Sequence, residues 1–445
     1  MAPDRPLRIA FVAYRGNMKC GGQGVYLWFL ARALAQQGHS IDVFVGPPYP
    51  DPMPFADSVT EMANQELWGK WYGRDYAGMR PPEGAAHMLM PLRFYELAAS
   101  YLGFLPEPFA FSVRTFREMS AQLRAGARWD LVHDVQCLGW GLLGLRALGL
   151  PMVTTVHHPL TVDRRASFVR DANLREAIGT MAFYPIGMQS FVARRLDRVL
   201  TSSEWSANRI ADDFGVHSEK IRNVYNGIDT ELFSPDPNVE KSDAELVCVG
   251  RAGDPNKGIQ TLIAALARGD SNLKLTLVDD DHPDNPVFKW ARKAGVADRL
   301  HVTGRIPTDD LIGLYRRATL VVVPSRFEGF GLPAVEAMAC GTPVVACEAG
   351  ALREVMQLCA GGVVVPRDNP DALAGGISEL MAAPLRRAEL AARARKQVED
   401  QLSWERIAAA TAEVYAEVLA EGRGEPARTT TSEIVGQRRA MTSKV

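Results

Sequence analysis

Residues 320–323, Leu-Val-Val-Val, form an uninterrupted apolar run, and a glycine-bearing loop and a run of helix formers follow directly at 324–338. A strand without polar alternation is buried on both faces, which places it inside a parallel sheet covered by helices on each side. A chain holding such a unit folds as layers of helix, sheet and helix, with ligands gathered at the carboxyl ends of the strands. The loop after this strand is therefore the first place to look for chemistry.

Gly329 and Gly331 let the backbone approach a ligand closely, and the helix beginning near Leu332 aims unpaired N–H groups and its positive dipole end at whatever lies there. An anion suits that position. Glu328 precedes the glycines, and Glu336 sits one turn into the helix. Helical side chains lean toward the helix N-terminus, so Glu336 can reach back toward the pocket Glu328 faces. Taken alone, the pair also fits a Glu336 that only complements the helix dipole and a Glu328 that is a solvated loop residue.

The longer segment 324–346, PSRFEGFGLPAVEAMACGTPVVA, resembles the signature of glycosyltransferase family 4. Two glutamates separated by seven residues flank a Gly-Phe-Gly turn and lead into a Glu-Ala-Met-Ala-x-Gly-x-Pro-Val run. The resemblance implies that Glu328 contacts a donor sugar. It implies too that the backbone of Gly329, Phe330, Gly331 and Leu332 contacts sugar and phosphate, and that Glu336 binds ribose hydroxyls.

A second element lies upstream, where Arg251 follows the strand-like 246–250 and Lys257-Gly258 precedes a helical pattern at 259–266. The same family has Gly-Arg, a short loop and Lys-Gly before a helix. An arginine fork and a lysine converging from one loop can neutralise a diphosphate and hold the charge that grows as a glycosidic bond breaks.

The resemblance covers about 7–419 and implies an α/β fold of GT-B architecture, two Rossmann-like domains facing across a cleft. The expected division is an acceptor-side domain at 1–198 and a donor-binding domain at 199–402, with a second alternating strand and helix series starting near Ile221. A helix at 403–421, with Ile407, Thr411, Val414, Tyr415 and Val418 on one face, is expected to cross back onto the first domain. The polar stretch 422–445 reads as a disordered tail. Gly21, Gly22 and Gly24 precede the first helix, and the family has a glycine loop there; Gly22 is the expected donor contact from the first domain. His157 ends the strand-like 152–157, where the family often has a histidine that contacts the donor sugar; a satisfied structural histidine is the other reading. Gly227, in the turn 226–229, supplies backbone geometry for entry into the second domain.

Composition removes several function classes. A formal net charge of -2 gives no footprint of nucleic-acid binding. The six cysteines show no metal-type pairing, which fits a reducing cytoplasm. No basic-then-apolar leader opens the chain. The apolar stretch 88–111 is interrupted by Pro91, Arg93, Glu96, Pro106 and Pro108, so it cannot span a bilayer. Its few basic residues favour burial against its own domain over peripheral contact with the cytoplasmic face of a membrane. The proline-rich loop 47–54 and the stretch with Trp68, Trp71, Tyr72 and Tyr76 read as a long insertion of the kind that often binds ligands, its rings either stacking on a sugar or packing on the domain.

The expected activity is retaining transfer of a hexose from a nucleotide diphosphate sugar, with UDP-hexose favoured because the loop reads Glu-Gly-Phe-Gly-Leu-Pro. The acceptor is a hydroxyl whose owner the sequence does not name. No cofactor and no metal are expected, because Arg251 and Lys257 supply the diphosphate charge. The run Asp279, Asp280 and Asp281 is the competing metal reading, and it departs from the glycine usual in the family after this strand. Two rival functions are a nucleotide-sugar epimerase of the same architecture and an NAD-dependent oxidoreductase. The second has Gly329, Gly331 and Ala334 in its favour but several residues between Val323 and the first glycine against it.

Overall fold

The computed structural model describes residues 5–18, 22–63, 90–102, 104–157 and 185–422, with positions 3, 70, 75, 78, 79, 84 and 161 besides. The insertion residues Trp68, Trp71, Tyr72 and Tyr76, together with Cys20, Gly21 and the stretch 423–445, lie outside the described residues.

Thirteen strands form two sheets among the described residues. The first takes β1 (Arg8–Ala13), β2 (Ser40–Val45), β3 (Ser58–Glu61), β4 (Leu131–Val135), β5 (Met152–Thr155), β6 (Arg198–Thr201) and β7 (Ile221–Asn223), in the order β3-β2-β1-β4-β5-β6-β7. The second takes β8 (Glu245–Val249), β9 (Lys274–Val278), β10 (Leu300–Val302), β11 (Leu320–Val323), β12 (Val344–Cys347) and β13 (Gly362–Val365), in the order β10-β9-β8-β11-β12-β13. Every pairing in both is parallel. Each sheet is thus a doubly wound Rossmann-like unit, and together they make the GT-B architecture. The apolar strands explain this: Val321, Val322, Val344 and Val345 are wholly buried, and helices cover both faces.

Strand order reverses between β1 and β4 in the first sheet and between β8 and β11 in the second. Open α/β sheets hold ligands in the crevice at such a reversal, outside the strands' carboxyl ends. The loops after β8 and β11 are those carrying Arg251, Lys257 and Glu328.

The division expected between residues 198 and 199 is corrected by strand pairing. Thr154 pairs with Val199 and Val199 with Ile221, so β6 and β7 extend the first sheet and the second series starts at β8. The helix Glu204–Phe214 belongs with them. Ser203 caps it by accepting from Ser206 N at 3.0 Å, Gly215 ends it at φ +67°, and Ile210 and Phe214 enter the first unit's core.

The chain crosses between units just after β7. Val224 packs in one core and Ile228 in the other, with Tyr225 touching both. It crosses back at 402–404, where Ile228 N donates to Leu402 O at 2.7 Å and Ile228 bridges Ser403. The helix Trp404–Gly422 then lies on the first unit, burying Ile407, Val414, Tyr415 and Val418 among Leu7, Ile9 and Leu27. Each such side chain contributes about 1.5–3 kcal/mol. Tyr415 Oη also meets His133 Nδ1 at 2.6 Å inside the sheet.

Within the stretch expected to be buried at 88–111, residues 105–111 are buried apart from the half-buried Phe109, while the helix before them is buried on one face only. The helix Pro91–Tyr101 turns Glu96 inward to a bidentate pair with Arg114 and leaves Phe94, Tyr101 and Leu102 exposed. A buried carboxylate needs a partner, and Arg114 on the neighbouring helix fixes which face turns in. No described helix is long and apolar enough to cross a membrane.

Candidate functional site

Glu328 is buried at the end of the loop leaving β11, and two donors reach its Oε1: Lys257 Nζ at 2.7 Å and Ser325 Oγ at 2.8 Å. Lys257 comes from the loop leaving β8, where Asp254 caps the turn Pro255–Lys257 by accepting from Asn256 N. The two loops are locked together: Arg326 N donates to Asn256 O at 2.7 Å. Gly258, at φ +62°, lies so close that a Cβ there would sit 2.0 Å from Pro324 O, so glycine is the residue that allows the approach. Lys257 and Glu328, expected on the diphosphate and the sugar respectively, are thus brought into direct contact with each other by backbone geometry.

Arg251 opens the same loop; it is exposed and makes no ion pair among the described residues. Asp279 supports it from beneath. Its buried carboxylate accepts from Ala252 N at 2.7 Å, Asp280 N at 2.7 Å and the Asn285 amide at 2.8 Å. Those donors account for Asp279 as a brace for the Arg251 loop, while Asp280 and Asp281 are exposed. Among the described residues no cluster of three metal-ligating side chains is arranged to hold an ion.

The helix Leu332–Ala339 starts at Gly331, φ +94°. Ala334 N and Val335 N fold back onto Gly331 O, whereas the N–H groups of Gly329, Phe330, Gly331 and Leu332 meet no acceptor among the described residues. Those amides and the positive helix end form a cradle for negative charge. The Phe330 ring is buried in the second unit's core beside Tyr225, so that residue offers a ligand only its backbone. Glu336 is half-buried one turn along, and Tyr315 Oη donates to its Oε2 at 2.8 Å. Burial raises the Glu336 carboxyl above the usual range, and the Tyr315 bond offsets part of that.

His157 stands two residues beyond β5 in the first unit. Its N–H donates to Gln136 Oε1 at 3.0 Å, its C=O accepts from Ser206 Oγ at 3.2 Å, and its ring meets the Tyr26 ring edge-on at 4.8 Å. Gly22 is exposed as the first residue of the helix Gly22–Gln36. Gln136 and Leu138 carry positive φ of 53° and 50°, held by Asp134, which accepts from Cys137 N and Leu138 N. These positive-φ residues sit in the loop at the carboxyl end of β4, where Gln136 accepts from His157 N. Sequence reasoning missed Ser325, Tyr315 and Gln136, and it singled out Asp279 without seeing that it serves the Ala252 backbone. Ser325, three residues before Glu328, is the one that local spacing could have shown.

Residues 20–232 match the model of Glycosyltransferase Family 4, and residues 229–397 that of Glycosyl transferases group 1. The chain is 35% identical over 421 residues to the MMP alpha-(1->4)-mannosyltransferase of Mycolicibacterium hassiacum, covering 93% of this chain and 99% of that one. Among solved structures it resembles sucrose-phosphate synthase from Thermosynechococcus elongatus, with a TM-score of 0.67 at 22% identity over 93% of this chain and 100% of that one. It also resembles Anabaena HepE in complex with UDP-glucose, with a TM-score of 0.62 at 20% identity over the same shares. The two family models together span residues 20–397, the relative at 35% identity covers 93% of the chain, and the chain belongs to glycosyltransferase family 4.

Proposed function

We propose that the protein transfers a hexose from a nucleotide diphosphate sugar to an acceptor hydroxyl, with retention at the anomeric carbon and without a metal. The observation that carries this reading is the Lys257–Glu328 contact beside the open amides of the glycine loop. A cation and a carboxylate then lie beside N–H groups suited to an anion.

In this mechanism Arg251 and Lys257 hold the diphosphate and stabilise it as the C1–O bond to phosphate breaks. The acceptor oxygen bonds to C1 on the face the diphosphate leaves, and its proton passes to the departing diphosphate oxygen. No protein nucleophile takes part. Glu328 and His157 orient the sugar and stabilise positive charge at C1, and Glu336 holds the ribose hydroxyls. UDP-hexose is the proposed donor from the form of the loop. The relative at 35% identity is named a mannosyltransferase, so a mannose-bearing donor is the comparison.

A thermal-shift screen of UDP, GDP, ADP and dTDP with their sugars tests the donor. A ligand at about a hundred times its dissociation constant stabilises the fold by about 2.7 kcal/mol. Transfer is then followed with EDTA present. Free nucleotide accumulating only with acceptor, and undiminished by EDTA, is the expected result. Sugar isomerisation without acceptor, or activity restored only by manganese or magnesium, overturns the reading.

A further inference from the structure

We propose that Glu354 is a positioning residue that latches the two domains together and thereby sets the separation of His157 from Glu328; this rests on the function proposed above. Glu354 lies in the helix Leu352–Cys359 of the second domain, yet its acceptors are filled from the first domain and the crossing segment. Glu204 N donates to both oxygens, at 3.1 and 2.9 Å. Asn223 Nδ2 and Tyr225 Oη donate to Oε1 at 3.2 and 2.9 Å.

The chemistry of the contact is strong for a half-buried position. Glu204 is the first residue of the helix Glu204–Phe214, so its N–H is one of the donors a helix leaves unpaired, at the positive end of the dipole. An ionised carboxylate there makes charge-assisted bonds about twice as strong as neutral ones. The other partners, Asn223 and Tyr225, end β7 and begin the crossing, where the chain must flex if the domains move.

On each side the latch is tied to a site residue. Ala351 N, just ahead of the Glu354 helix, donates to Glu328 O at 3.0 Å. Ser206, in the first turn of the Glu204 helix, donates to His157 O at 3.2 Å. A continuous path therefore runs from the Glu328 backbone through Ala351, Glu354, Glu204 and Ser206 to the His157 backbone. Two looser contacts flank it across the same gap: the Trp205 and Phe327 rings at 5.1 Å, and Ser202 Oγ to Gly329 O at 3.5 Å. Neither carries charge. Glu354 supplies the carboxylate acceptor among these cross-domain contacts.

Full-length wild type, E354A, E354Q and Y225F are compared by small-angle scattering, melting temperature, UDP and GDP calorimetry, and turnover with the donor that supports transfer. The expected E354A protein melts within about 2 °C of wild type. Its radius of gyration is larger, its kcat is about ten-fold lower, and its nucleotide Kd changes less than two-fold, since the donor loop's own contacts are intact. E354Q keeps an oxygen acceptor for Glu204 N and Tyr225 Oη and recovers most of both losses. Y225F, which keeps the ring and loses one donor, shows a smaller loss of the same kind and carries the test if E354A does not fold. An unchanged radius of gyration in E354A and Y225F overturns the latch whatever turnover does. A kcat and a nucleotide affinity that fall together place Glu354 in the donor pocket and overturn it as well. A wild type that transfers no sugar refutes the proposed function instead, and the scattering comparison still decides the latch.

Discussion

Lys257 Nζ and Glu328 Oε1 meet at 2.7 Å across the two loops that leave β8 and β11. These strands are neighbours in the sheet but lie more than seventy residues apart in sequence, from Val249 to Leu320. The contact therefore depends on the whole second domain being folded. Lys257→Ala leaves Glu328 with Ser325 as its donor and removes a cation from the developing diphosphate charge. The expected cost is about 2–4 kcal/mol of transition-state stabilisation, roughly 30- to 1000-fold in transfer rate. Steady-state kinetics check this, and Arg251→Ala is expected to lose a comparable factor. Wild-type rates in both would remove the basic loop from the mechanism.

The two glutamates are expected to separate kinetically. Glu328→Gln alters a group facing the reacting sugar and lowers kcat, whereas Glu336→Gln alters a ribose contact and raises the donor KM. Glu336 also supplies a pH signature. Its carboxyl is held above the usual range by burial, so nucleotide affinity falls as pH drops through that raised value and the ribose loses an acceptor. Tyr315→Phe removes the bond that favours the ionised form and moves this loss to higher pH. Nucleotide titrations of wild type and Tyr315→Phe from neutral pH downward measure the shift; coincident curves would leave Glu336 out of the binding step.

Much of this arrangement was legible locally. Strand and helix alternation, the glycine turn, the paired glutamates and the apolar face at 407–418 are periodic or short-range signals, and a parallel sheet makes its strands readable as apolar runs. Partner choice was not legible. Arg198–Thr201 reads as a strand, but nothing within it says that it pairs with β5 and β7, and the boundary was therefore set one βαβ unit too early. Tyr315 and Glu354 are ordinary helix residues until folding brings Glu336 to one and Glu204 to the other. Asp279 drew the competing metal reading as one of three consecutive carboxylates, and its bond to Ala252 N could not be read locally because a helix and a strand separate the two in sequence.

His133 gives the first domain an acid-sensitive centre. Burial, with a smaller contribution from His157, lowers its pKa from 6.5 to about 3, and both ring nitrogens are engaged, by Tyr415 and Thr155. The unfolded chain binds a proton that the folded one refuses between those values. His133 therefore contributes stability fully above pH 6.5, and that contribution is lost as pH falls toward 3. Asp134, pushed up to about 7 by burial, acts oppositely, its folded form losing ground as pH rises from 3.8 toward 7. The raw pH profile blends the two, so the measurement is a difference. His133→Gln should gain on wild type as pH falls from 6.5 to 4.5, by at most about 1.4 kcal/mol per pH unit. Urea midpoints at several pH values check this, and a constant difference would show that His133 is not held neutral.

The last prediction concerns the double crossing between the domains. At Gly227 an added Cβ would lie 2.4 Å from Trp404 Cδ2, with two more indole carbons within 2.8 Å. Trp404 cannot swing aside freely, because its ring stacks on Phe29 at 5.7 Å and meets Tyr26 at 5.9 Å. The neighbouring Ile228 N to Leu402 O bond at 2.7 Å holds the two crossing strands side by side. Gly227→Ala must therefore push the strands apart, an overpacking strain of about 1–3 kcal/mol. Because the chain passes between the two units only at these segments among the described residues, any domain closure bends them, and the same variant should change kcat and KM together. Trp404→Ala in the Gly227→Ala background removes the obstructing ring. The melting temperature of the double variant should then fall by less than the sum of the two single losses. Strict additivity of the two losses would show that Gly227 answers to its own backbone conformation and not to the indole beside it.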